Sequence, residues 1–121
     1  MKTRVLALIV LVLAVAAPAG IAARGMQSTT TLHITAAAAA LKYSTSHLTA
    51  PHGKVSIVMK NLSPLQHDVA IKGNGVSVKG KLVGKGGLST VTATLKRGTY
   101  TFYCTVPGHA AAGMKGTLKI T

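Results

Sequence analysis

Hydrophobic and polar residues alternate along much of this chain with a period of two. Val55, Ile57 and Met59 alternate with Ser56, Val58 and Lys60, and His67, Val69 and Ile71 alternate with Asp68, Ala70 and Lys72. Val91, Ala93 and Leu95 alternate with threonines. Tyr100, Phe102 and Cys104 share one face, and Leu118 and Ile120 alternate with Thr117, Lys119 and Thr121. Such alternation is the signature of strands with one buried face. The runs are separated by turn residues: Pro51-His52-Gly53, Asn61-Leu62-Ser63-Pro64, Gly73-Asn74-Gly75, Gly84-Lys85-Gly86-Gly87 and Arg97-Gly98. Leu32–Thr35 reads as a further strand running into an alanine tract. Ala36 to Leu41 has helix-forming composition but no amphipathic pattern. Short strands punctuated by Gly and Pro predict an all-β Greek-key sandwich of about seven to eight strands. His67 and Cys104 both fall on inward faces, from two different strands.

The amino terminus has a different pattern. Lys2 and Arg4 precede an uninterrupted apolar run from Val5 to Ala17, and small residues follow at Ala17, Ala19, Gly20 and Ala22. This predicts a signal peptide over 1–23, cut after Ala19 or Ala22. An uncleaved anchor is the rival reading, but Pro18 and Gly20 break the far end of the run. The product is expected to be exported, periplasmic or extracytoplasmic, and membrane-associated only if the leader is retained. Residues 24–31 are polar and expected to be loosely ordered, and 32–121 form one domain.

Composition narrows the chemistry. The chain has 121 residues, 14 Lys plus Arg, one carboxylate side chain and one Cys, for a net charge of +13. One Cys rules out an internal disulfide. One carboxylate, Asp68, rules out paired-carboxylate acid–base catalysis and carboxylate-built calcium or magnesium sites. In an oxidising compartment a lone Cys is an intermolecular link, a thiol at risk or a metal ligand.

The segment Tyr103–Gly116 reads YCTVPGHAAAGMKG, with Cys104, His109 and Met114 each five residues from the next. His67 lies 37 residues before Cys104, at the expected start of a strand. One thiolate, two imidazoles and a thioether make up the ligand set of a mononuclear blue-copper site. A turn at Pro107 and Gly108 lets His109 face the point that Cys104 faces, and a second short loop returns Met114. Zinc accepts the same sulfur and nitrogen donors, but a thioether favours copper. Singly, each residue is more often an inert thiol, a core histidine, a loop residue or core filler; jointly they form a site. His33, His47 and His52 lack such support and are expected at the surface.

Over roughly Leu32 to Thr121 the sequence resembles the cupredoxins, the small blue-copper proteins of the plastocyanin and azurin type. GTYTFYCTVPGHAAAGMKGTLKI carries the most specific match, and GKVSIVMKNLSPLQHDVAI a second. The gap between Cys104 and His109 is similar to that of auracyanin or rusticyanin. The resemblance implies a cupredoxin fold, one type 1 copper ion, and His67, Cys104, His109 and Met114 as its ligands. It also implies electron transfer rather than enzymatic catalysis. A copper chaperone or buffer, and a structural β-domain with an incidental thiol, are the alternatives. The family often has Asn after the first His, where this chain has Asp68. Asp68 is expected either to bond the backbone or hydroxyl of Thr105, orienting the thiolate, or to pair with a surface Lys. Without Lys2 and Arg4 the net charge is +11, and Lys79, Lys81 and Lys85 are the densest group. That charge fits a monomer meeting redox partners with acidic surfaces, or an anionic membrane surface. Nucleic acid is not expected, because there is no recognition motif, few aromatics are available for base stacking, and the chain carries an export signal.

Overall fold

A computed structural model describes residues 28–121. The expected signal peptide lies outside the described residues. Among the described residues, eight strands form two sheets. The first holds β1 (Thr30–Ala36), β3 (Gly53–Asn61) and β6 (Leu88–Leu95) in the order β1-β3-β6. The second holds β2 (His47–Ala50), β4 (Ala70–Gly73), β5 (Val76–Lys79), β7 (Gly98–Tyr103) and β8 (Lys115–Ile120) in the order β2-β8-β7-β4-β5. β1 runs parallel to β3 and β2 parallel to β8; the other pairs are antiparallel.

The core lies between the sheets and is built by the alternating residues. Ile57 stands opposite Val91 and Leu32 on its two neighbours. Ile71 stands opposite Phe102, and Tyr100 opposite Leu118. Ile57, Ile71, Phe102 and Leu118 are completely buried. Each such side chain contributes about 1.5–3 kcal/mol relative to exposure. Ser56, on the polar face of β3, is also covered, and its hydroxyl bonds that of Thr92 at 3.0 Å.

Several boundaries differ from expectation. β1 begins at Thr30, so Thr30 and Thr31 belong to a strand and not to a loose 24–31 segment. They pair with Val55 and Ser56, and that pairing orders them. The alanine tract forms bends, closed by the Ala37 N–H donating to the Lys42 carbonyl at 3.0 Å. β4 starts at Ala70 rather than His67, which makes only a single antiparallel bridge with Val83. Alternation fails across this segment, because Asp68 and Ala70 are buried along with His67, Val69 and Ile71. β2 and β5 have no counterpart in the pattern. Both are four-residue edge strands whose residues are mostly exposed or half-buried, so neither carries a continuous apolar face.

Candidate metal centre

The segment before His67 is shaped by Asn61, at the end of β3. Its buried side chain accepts from the Ser63 N–H at 2.9 Å and donates to the carbonyls of Leu65 at 2.8 Å and Val83 at 2.9 Å. Val83 in turn brackets His67. The His67 N–H donates to the Val83 carbonyl at 3.1 Å, and the Val83 N–H donates to the His67 carbonyl at 2.9 Å. One buried amide thus ties the turn to the strand-like stretch that fixes His67. Beyond it, the Tyr43 hydroxyl donates to the Asp68 carbonyl at 2.6 Å, and the Val69 N–H donates to the Ser89 hydroxyl at 3.3 Å.

The second segment starts at Cys104, one residue past β7. The Cys104 N–H donates to the Met114 carbonyl at 3.1 Å, and the Met114 N–H donates to the His109 carbonyl at 3.0 Å. The loop between them turns at Gly108 and Gly113, whose φ angles are 82° and 118°. Side chains rarely adopt such backbone conformations, which explains glycine at both places. Met114 is completely buried, with its peptide bonded to both Cys104 and His109.

The two segments bring three donor atoms together. Cys104 Sγ lies 3.6 Å from His109 Nδ1 and 3.8 Å from His67 Nδ1, and the two Nδ1 atoms are 3.1 Å apart. All three lie within 4.8 Å of one another. His67 and Cys104 are buried, whereas His109 is half-buried and reaches the surface. His33, His47 and His52 are exposed and stand outside the cluster, as expected.

Asp68 fastens the segments to each other. Its Oδ1 accepts from the Thr105 N–H at 2.7 Å, and its Oδ2 accepts from the Thr105 hydroxyl. The carboxylate is buried, so the alternative of a surface pair with Lys does not hold.

Burial pushes the Cys104 thiol above its ordinary pKa, against backbone N–H groups of Asp68 and Val106 that favour the thiolate; the Asp68 charge adds to the upward push. A cation at the cluster would oppose that push and hold the sulfur as thiolate. Burial lowers the His67 pKa, and the neighbouring His109 lowers it further. The Asp68 charge opposes this, and the net direction favours the neutral ring, the form that can ligate a metal. His67 Nε2 is buried without a hydrogen-bond partner among the described residues. One ionisable sulfur and two imidazole Nδ1 atoms, with a thioether buried on the adjoining loop, fit a single type 1 copper ion.

The pattern located the donors but not their supports. Asn61 had a local signal, since it opens the Asn61-Leu62-Ser63-Pro64 turn and such side chains commonly bond the backbone two residues on. Tyr43, Val83 and Ser89 carried none, because each acts across more than 15 residues of sequence.

Solved structures similar to this one are of the same kind. Reduced auracyanin from the photosynthetic bacterium Roseiflexus castenholzii is 29% identical, with a TM-score of 0.69 over 76% of this chain and 97% of that one. Auracyanin A, a "blue" copper protein from Chloroflexus aurantiacus, is 25% identical, with a TM-score of 0.68 over 78% of this chain and all of that one. Amicyanin variants share the fold at 19% identity and a TM-score of 0.56. A search of curated proteins gives no match. The family described as "Copper binding proteins, plastocyanin/azurin family" matches residues 30–121, the whole sandwich together with all four candidate ligands. With the donor cluster and the fold in agreement, the chain belongs to that copper-binding family of cupredoxins.

Proposed function

We propose that this protein is an exported one-electron carrier. His67, Cys104 and His109 hold one copper ion, and Met114 is its weak axial donor. The observation that carries this reading is the convergence of the three donor atoms within 4.8 Å, from two segments bolted together by Asp68 and Thr105. Copper, when bound, supplies the Cu(II)/Cu(I) couple. The protein's part is to hold the donors still, so that little rearrangement accompanies a change of charge. Two sulfur donors suit the reduced ion and the imidazoles suit both states. His67 and Cys104 are sealed from water, and His109 alone of the three has an exposed edge. Electrons would pass through that edge. Val106 and Pro107 line the same surface, and with Ala110, Ala111 and Ala112 of the same loop they would form a small apolar rim suited to brief docking. The lysines beyond it would draw partners with acidic surfaces, and export would place the encounter outside the cytoplasm.

The test is to add Cu(II) to the refolded mature chain and record optical and paramagnetic-resonance spectra. An intense thiolate-to-copper band supports the reading, and its absence refutes it. Stopped-flow exchange with small redox reagents then separates a carrier, which keeps its metal in both states, from a copper chaperone, which yields it to a competing chelator.

A further inference from the structure

Beside the metal centre lies a groove of about 640 Å³, whose lining includes the donor His109 and the clamp pair Asp68 and Thr105. This volume is within the range typical of sites for drug-sized molecules, roughly 300–1,000 Å³. Its walls are mainly apolar. Leu65 comes from the turn before His67, Leu82 from the stretch after β5, and Val106 and Pro107 from the ligand loop. Leu65 is 53% exposed and Leu82 is 46% exposed, so two large apolar side chains stand in water beside His109.

The groove also has a fixed polar edge. Lys79 and Lys81 line it on either side of Gly80. The Gly80 N–H donates to the Val69 carbonyl at 2.8 Å. A Cβ at Gly80 would come within 2.6 Å of the Ser89 hydroxyl and 2.8 Å of the Thr90 carbonyl, so the backbone here lies hard against β6. The two ammonium groups thus project from an anchored segment. They have no carboxylate side chain to pair with, since Asp68 is the only one in the chain and Thr105 occupies both its oxygens. Asp68 lines the groove as well, but both its oxygens are turned to Thr105, so an acidic group would be met at the lysine edge and an apolar body in the trough.

We propose that this groove binds a small organic anion with an apolar body. The body rests on Leu65, Leu82, Val106 and Pro107, and the acidic group meets Lys79 and Lys81. Because His109 also lines the groove, an occupant would cover the edge used for electron exchange and compete with partner docking. That consequence rests on the proposed carrier function; the binding itself does not.

The test uses the mature chain loaded with Cu(I), with 1-anilinonaphthalene-8-sulfonate as the probe. Binding is followed by fluorescence and by amide NMR shifts. The expected result is one saturable site with shifts centred on Gly80, Leu82 and Val106. Leu82→Ser and Lys81→Glu should each weaken binding by about tenfold, from lost apolar contact and reversed charge. Lys96→Glu, between β6 and β7, should leave it unchanged. The uncharged analogue N-phenyl-1-naphthylamine should bind about tenfold more weakly, for want of the lysine contact. Absent binding, shifts centred elsewhere, indifference to both groove variants, or equal binding of the uncharged analogue would each overturn the proposal. The visible band of the oxidised protein is read separately. A missing band with binding intact would sink the copper reading and leave the groove, and the converse would sink the groove alone.

Discussion

Cys104 is the residue on which the centre turns. A serine hydroxyl stays protonated and is a poor soft ligand, whereas a metal-bound thiol is deprotonated. Cys104→Ser is expected to abolish the blue-copper band entirely, as absorption spectroscopy of the copper-treated protein would reveal. Met114 should behave differently, because an axial thioether tunes the ion more than it holds it. Met114→Leu should leave a coloured protein with a raised reduction potential, measured by voltammetry; loss of the copper would make Met114 a primary ligand instead. Asp68 acts through both geometry and charge. Asparagine in its place retains an oxygen for the Thr105 N–H, and the Thr105 hydroxyl must rotate to accept from the new amide. The negative charge is lost, so Cu(II) is less favoured and the potential should rise. Were the charge about 8 Å from a bound ion, at an effective dielectric near 20, it would be worth about 2 kcal/mol, or roughly 90 mV for one electron, less any screening by water. A potential for Asp68→Asn equal to that of the wild type would confine Asp68 to a positioning role.

At the level of elements, the centre is held by two loops that pack Val69, Cys104 and Met114 into the core of the sandwich and are pinned to it by hydrogen bonds. Asn61 is the clearest. Replacing it with alanine removes the acceptor of the Ser63 N–H and one donor each from the carbonyls of Leu65 and Val83, the latter keeping the His67 N–H. Since each lost bond of this kind costs about 1 kcal/mol or more, Asn61→Ala should destabilise the fold by on the order of 3 kcal/mol in urea titrations. It should also loosen His67, seen as weaker copper retention against a chelator. The turn between β4 and β5 shows how far local chemistry reaches. Asn74 and Gly75 both have positive φ, 48° and 78°, and join Gly73 directly to its partner Val76. That is the geometry preferred for two-residue hairpins, and Asn-Gly is its usual sequence. The turn was therefore legible in the chain, while the edge strand it launches was not, since Ser77, Val78 and Lys79 bury no continuous face.

The whole molecule is a cation of uneven chemistry, with lysines spread over its surface and a small apolar rim around His109. Steering by such a field raises encounter rates and is screened by salt, with a Debye length of about 10 Å at 0.1 M. Electron exchange with an anionic redox partner is expected to slow as ionic strength rises, measured by stopped flow. Rates that rose with salt, or ignored it, would remove the lysines from the encounter.

Period-two alternation, turn residues and the five-residue spacing of Cys104, His109 and Met114 are local properties. They determined the all-β class, most strands and the identity of the candidate donors, because side-chain period and turn conformation depend on neighbours in sequence. The resemblance in the ligand loop added the copper chemistry. The tertiary structure alone decided the rest. Sheet order, the parallel pairings of β1 and β2, and the short edge strands depend on partners that no local pattern names. The clamp of Asp68 on Thr105 was one of two readings open in the sequence; its burial, which decides between them, and the convergence of His67 with a loop 37 residues away exist only once β4 and β7 pair. Tyr43, Asn61, Val83 and Ser89 hold the site through hydrogen bonds closed by the fold. A bond between groups far apart in sequence forms only after chain entropy has been spent bringing them together, and that cost is met by burial of the core as a whole rather than by any one segment.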